Sequence, residues 1–210
     1  MSASAARLLE RWADHLEAAG LTDPGAATGR RIIARYGRPH RVYHGRGHLA
    51  FLLGEIERMA GLVGDLARLR FAAWFHDAIY ASWRKDNELR SALWAEMALR
   101  AMGADAALAD RTGALIRATA RHGEGGRDGD DDLFLDMDMS ILGAAPEVYD
   151  RYARQVRLEY FWAPPQAYRK GRRAFLEAVL GRRRIFLTDT YESALGAQAR
   201  ENLRRELSGL

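Results

Sequence analysis

The stretch AAWFHDAIYA, residues 72–81, sets a histidine and an aspartate side by side within an otherwise apolar run. Taking two titratable groups out of water is costly unless each is paired or binds a metal. Phe71, Ala72, Trp74, Phe75, Ile79 and Tyr80 surround His76 and Asp77 and predict a helix buried nearly all round. Its expected span is about 65–81, with Leu66, Leu69, Ala73 and Ile79 on the apolar face. Two readings follow: a satisfied structural pair, or a segment built around an ion. Adjacent helix residues point about 100° apart, so an imidazole and a carboxylate there can approach one ion from two sides. Such nitrogen and oxygen donors suit first-row divalent metals.

The rest of the chain repeats the helical period. Leu8, Leu9, Trp12 and Leu16 mark a first helix, and Ile32, Ile33 and Tyr36 a second, ended by GRP at 37–39. A third is expected to begin near His48 and to carry Leu49, Leu52, Leu53, Ile56 and Met59. A fifth starts near Asp86 or Asn87 and includes Leu89, Leu93 and Met97; Leu108, Leu115 and Ile116 mark a sixth. RHGEGGRDGDDD (121–132) is the clearest loop. A helix with Val148, Tyr149, Tyr152 and Val156 follows, and after the break FWAPPQ, helices near 165–180 and 190–208. No segment alternates as a strand does, and no internal repeat or linker composition appears. The reading is all-α, a single domain over 1–210.

Composition limits the partners. With 210 residues, 48% hydrophobic and 29% charged, the chain can bury a sizeable core. Its formal charge is only +4 despite a pI near 9.6. Basic and acidic residues are interspersed, so no nucleic-acid stripe is read, while a small phosphorylated molecule is compatible. The absence of cysteine excludes disulfides, thiolate metal ligands and a cysteine nucleophile. No apolar run approaches the ~18 residues of a membrane span. The first twenty residues carry Glu10, Asp14 and Glu17 in an amphipathic pattern, unlike a signal or transit peptide. A soluble cytoplasmic protein is the expectation.

Of the six histidines, His15 and His40 are read as surface residues. His48 opens an apolar helix, and His44 sits one turn earlier, where it can face the same cavity. LFLDMDMSIL (133–142) sets Asp136 and Asp138 among Leu, Met and Ile, where carboxylates need partners as His76 and Asp77 do.

A histidine at a helix start, a buried His-Asp pair and a distant aspartate, in this order, resemble the HD superfamily of metal-dependent phosphohydrolases. A bacterial subgroup of HD phosphohydrolases is more similar still. The likeness rests on RVYHGRGHL (41–49), AAWFHDAIY (72–80), NELRSALWA (87–95), ATARHG (118–123), LDMDMSILG (135–143), VRLEY (156–160) and ARENLRREL (199–207). It spans roughly 36–207, with the motif core at about 36–160 and C-terminal helices over 161–210.

The resemblance implies His48, His76, Asp77 and Asp138 as metal ligands. Asp138 is preferred to Asp136 because the superfamily's last aspartate directly precedes its helical Leu/Ile stretch. Dinuclear members place two further histidines between the His-Asp pair and that aspartate; only His122 stands there, which argues for one ion. Mn, Co, Ni, Fe, Mg or Zn are all compatible. The implied reaction is hydrolysis of a phosphate ester in a nucleotide or other small metabolite through a metal-activated water. Asp77 is expected to orient that water as well as to ligate. Glu88 is the candidate acid or base, since similar hydrolases keep an acidic residue just after the His-Asp helix. Asn87, His44 and His122 are candidate substrate contacts, and Arg157 can fork onto a phosphate.

Each has a plainer reading. Asp86 or Asn87 can simply start a helix whose first-turn Glu88 favours the dipole. His122 ends a helix, where a cationic imidazole is favoured anyway. Arg157 can form an internal salt bridge; Lys170, Arg172 and Arg173 read as a solvated helix face. Tyr43, Trp74, Tyr80 and Trp83 read as core or pocket wall. DGDDDLFLDMDM (128–139) lacks the glycine and the bidentate glutamate of a calcium loop and reads as an acidic surface loop. Two other functions stay open: a catalytically inactive HD domain that binds a nucleotide or partner, and an iron-dependent oxygenase, which needs more histidine ligands. A homodimer is compatible with the aromatic-rich helical surface.

Overall fold

A computed structural model describes residues 2–210, and every regular element among them is helical. The chain forms two compact units, one ending at Arg121 and one beginning at His122.

The first unit holds α1 (Ala3–Ala18), α2 (Ala27–Tyr36), α3 (Arg46–Arg58), α4 (Leu66–Phe75), α5 (Asn87–Ala101) and α6 (Ala106–Ala118). Short polar side chains open several of them by accepting an orphan backbone N–H. Ser2 takes that of Ala5, Asp65 that of Arg68, and Asp105 that of Leu108. Helix α4 is the centre, with α1, α3, α5 and α6 packed on it. Trp12 meets Phe71, Trp74 and Phe75 edge-on at 5.2–6.2 Å, an arrangement aromatic quadrupoles favour. Trp12 also donates its indole N–H to Asp23, whose carboxylate receives the N–H groups of Thr28 and Gly29. A Cβ at Gly29 would lie 2.4 Å from the Trp12 ring, so α1 and α2 close on each other only with glycine there.

The second unit holds α7 (Gly129–Met139), α8 (Pro146–Glu159), α9 (Pro165–Leu180) and α10 (Asp189–Gly209). Here α10 packs on α9 and on the 3-10 turn Ser140–Gly143, where Asn202 donates to the carbonyls of Leu142 and Ala144. Arg172 forks onto Glu206 at 2.8 and 2.9 Å, and Tyr149 donates its hydroxyl to the same carboxylate.

Several expectations change. Helix α4 stops at Phe75, so His76 caps it and Asp77 lies in the following turn rather than mid-helix. Helix α7 starts at Gly129, inside the supposed loop: Asp128 caps it by accepting from Asp131, and Asp130, Asp131 and Asp132 fill its first turn. Carboxylates there complement the positive end of the helix, which a reading by composition overlooks. His15 and Arg172 are buried instead of solvated. Trp83 is 59% exposed and is not core. Leu89, Leu93 and Met97 face outward, while α5 buries Asn87, Ser91, Ala92, Ala95, Ala98 and Leu99.

Candidate metal centre

In the first unit, the opening turn of α3 and the end of α4 bring three side chains together. Nε2 of His48 lies 3.1 Å from Nε2 of His76. Oδ2 of Asp77 is 3.4 Å from the second of these nitrogens and 4.0 Å from the first. All three residues are buried. Nδ1 of His76 stands 2.9 Å from the carbonyl oxygen of Ala73. A carbonyl only accepts, so the proton of neutral His76 sits on Nδ1 and Nε2 presents its lone pair. Metal-ligating histidines are held in this way, their far nitrogen fixed on a carbonyl or carboxylate. Burial opposes ionisation of Asp77, but when the His76 ring takes up a second proton its charge and hydrogen bond, with His44 and His48 beyond, hold the Asp77 carboxyl well below the usual carboxylate range.

The scaffold behind this cluster uses a residue the sequence reading passed over. Arg41 is buried, its guanidinium 5.2 Å from the Tyr36 ring and 5.4 Å from that of Tyr80. It donates to the carbonyl of Asp77 at 2.6 Å and to that of Ala78 at 3.3 Å, and so fixes the turn that carries the acid. The hydroxyl of Tyr36 accepts the Asp77 N–H and faces the carbonyl of Ala73. Arg41 opens the RVYHGRGHL motif, but only the tertiary contact distinguishes it from the surface arginines around it. Gly45 caps α3 where a Cβ would meet the Arg41 carbonyl at 2.8 Å, so the loop and the helix start approach closely.

The other expected residues of this unit are placed as follows. His44 is half-buried with its ring 4.4 Å from that of Tyr80 and 5.8 Å from that of His48. Asn87 is buried and clamps Ala81, accepting its N–H and donating to its carbonyl. Ser91, one turn on, does the same for Ile79. Asn87 therefore shapes the turn after Asp77 rather than being a simple helix start. Glu88 is half-buried in the first turn of α5.

In the second unit, Asp136 and Asp138 separate clearly. Asp136 is buried and receives the N–H groups of Leu187 and Thr188 and the hydroxyl of Thr188, all at 2.7–2.8 Å. Burial pushes its carboxyl up, and those hydrogen bonds oppose the rise. Asp136 is thus committed to holding the segment ahead of α10. Asp138 instead meets His122, with Oδ2 at 2.8 Å from Nε2. Arg157 donates to the carbonyls of Tyr160 and Ala163, in the connection after α8, and lies over the ring of Tyr168 on α9.

Imidazoles and a carboxylate are the donor set of a divalent first-row ion. Within the first unit His48, His76 and Asp77 offer that set, and within the second His122 and Asp138 face each other as a further imidazole and carboxylate. Comparison with protein-family models, with curated proteins and with solved structures found no match. Among the described residues, no helix is long and apolar enough to cross a membrane.

Proposed function

We propose that the chain is a metal-dependent phosphohydrolase that cleaves a phosphate ester of a nucleotide or another small phosphorylated metabolite. The observation that carries this reading is the facing pair of Nε2 atoms of His48 and His76 beside the Asp77 carboxylate. His48, His76 and Asp77 would hold one divalent ion, and the resemblance to HD phosphohydrolases adds Asp138 as a further ligand. Bound there, such an ion supplies Lewis acidity, which neutralises phosphoryl charge and makes water a nucleophile near neutral pH.

The chain's own groups do the rest. Asp77, fixed through its backbone by Arg41 and Tyr36, accepts a hydrogen bond from the attacking water and orients it. His122 donates to Asp138 and holds that carboxylate in one rotamer. His44, at the edge of the cluster, contacts a phosphate oxygen. As water adds to phosphorus its proton passes to the Glu88 carboxylate, which hands it to the departing oxygen as the ester P–O bond breaks.

The test is metal analysis and a panel of phosphomonoesters with added Mn, Co or Ni, on the wild type and on His76→Ala. Loss of both bound metal and turnover in the variant is expected. Metal binding without turnover on any substrate would favour a binding module. Metal retained by His76→Ala would place the centre elsewhere.

A further inference from the structure

The outward face of α5 has a symmetry that the proposed chemistry does not use. Leu89, Leu93 and Met97 recur every four residues and are 49%, 46% and 64% exposed. A stripe of large apolar side chains along a helix, open to water, marks an interaction surface. Its ends carry opposite charge: Asp86 stands seven residues before Leu93, and Arg100 seven residues after. Seven residues are almost two turns, so Arg100 lies nearly in line with Leu93, and Asp86 caps the opposite end of the helix.

We propose that this face binds a second copy of the chain, with the two α5 helices antiparallel about a two-fold axis beside Leu93. In that arrangement residues equally far before and after Leu93 meet. Leu93 meets Leu93, Leu89 meets Met97, and Asp86 meets Arg100 at both ends. The apolar stripe and its charges are therefore complementary to themselves, as an isologous contact requires. A parallel pairing would put Asp86 on Asp86 and Arg100 on Arg100. Arg90, on the flank, is 60° from the line of Leu93 by the same helical geometry, and its aliphatic stem can cover Met97 of the other copy. The charged ends already carry partners within the chain, Asp86 with Arg84 and Arg90, and Arg100 with Asp110, so the contact extends existing networks. A second copy is the occupant the charge pattern selects, because an unrelated partner has no need of an end-to-end inverted order.

The chain contains no cysteine, so single-cysteine variants report on this contact directly. Sedimentation velocity on the full chain, from micromolar to hundreds of micromolar, is expected to show a reversible dimer. Leu93→Arg, an exposed change that leaves the thermal transition in place, weakens it at least about 100-fold. Under mild oxidation, Leu93→Cys alone gives a disulfide-linked dimer. Leu89→Cys and Met97→Cys cross-link efficiently only when mixed, and Leu62→Cys, 65% exposed elsewhere on the same unit, does not. A monomer at every concentration overturns the proposal and leaves the stripe to a different partner. A dimer that survives Leu93→Arg, or equal cross-linking through Leu62→Cys, overturns it as well.

Discussion

Nδ1 of His76 faces the carbonyl of Ala73 at 2.9 Å, one helical turn back along its own segment. This contact turns an imidazole at a helix end into an oriented donor, with Nε2 aimed at Nε2 of His48. The first prediction follows from it. His76→Ala or His48→Ala should lower affinity for a divalent ion by more than the ~10–100-fold typical of losing an outer partner. Isothermal titration with Mn or Co measures it, and unchanged affinity in both variants would falsify the assignment.

The two aspartates of LDMDMSILG should respond in opposite ways. Asp136→Asn turns amide hydrogens toward either the Leu187 or the Thr188 donor and should cost ~2 kcal/mol of stability with metal affinity little changed. Asp138→Asn should leave the melting temperature nearly unaltered and weaken metal binding. Calorimetry and metal titration on the two proteins separate the roles; the reverse pattern would reassign the last ligand to Asp136.

Buried Arg172 and half-buried Glu206 form a bidentate pair, so removing the carboxylate charge leaves the guanidinium without compensation. Glu206→Gln is expected to destabilise by about 3–5 kcal/mol, whereas Arg172→Met combined with Glu206→Leu should recover much of that loss. Urea unfolding of the single and double variants tests both halves of the statement. A single variant as stable as the wild type would mean the pair contributes nothing.

Stability should also depend on pH through His15. Trp74 donates its indole N–H to Nδ1 of this buried ring, and burial, then the Arg70 charge, lowers its pKa from 6.5 to about 4. The unfolded chain therefore takes up a proton between pH 6.5 and 4 that the folded chain refuses. The contribution is fully present above the higher value and is lost as pH falls through this window, by up to about 3 kcal/mol. His15→Asn keeps an acceptor for Trp74 without titrating, so its stability curve should be flatter over the same range. An unchanged slope would show that His15 is not the group responsible.

How much was legible differs from residue to residue. The apolar period around Trp12, Leu49 and Trp74 announced helices because burial of a helical face must repeat at 3.6 residues. His48, His76 and Asp77 stood out because polar groups in apolar surroundings require partners, and the structure gives them to one another. The same logic misread α5. Its apolar period was real, yet Leu89, Leu93 and Met97 point outward, while Asn87 and Ser91 go inward to hold the turn after Asp77. Periodicity states that a helix has two faces and is silent on which one meets the core. His15 and Arg172 were misplaced for a related reason: charge in a sequence suggests water until a distant Trp74 or Glu206 supplies a partner.

The sequence by itself determined an all-helical chain, the positions of most of its helices, and the pairing of imidazoles with carboxylates as its unusual chemistry. These are consequences of local periodicity and of the cost of burying polar groups. Only the tertiary structure decided that Asp136 is spent on Leu187 and Thr188 while Asp138 turns to His122, and that Arg41 fixes the Asp77 turn. Those choices depend on which hydrogen-bond donors stand within 3 Å, and side chains far apart along the chain are brought that close by packing alone.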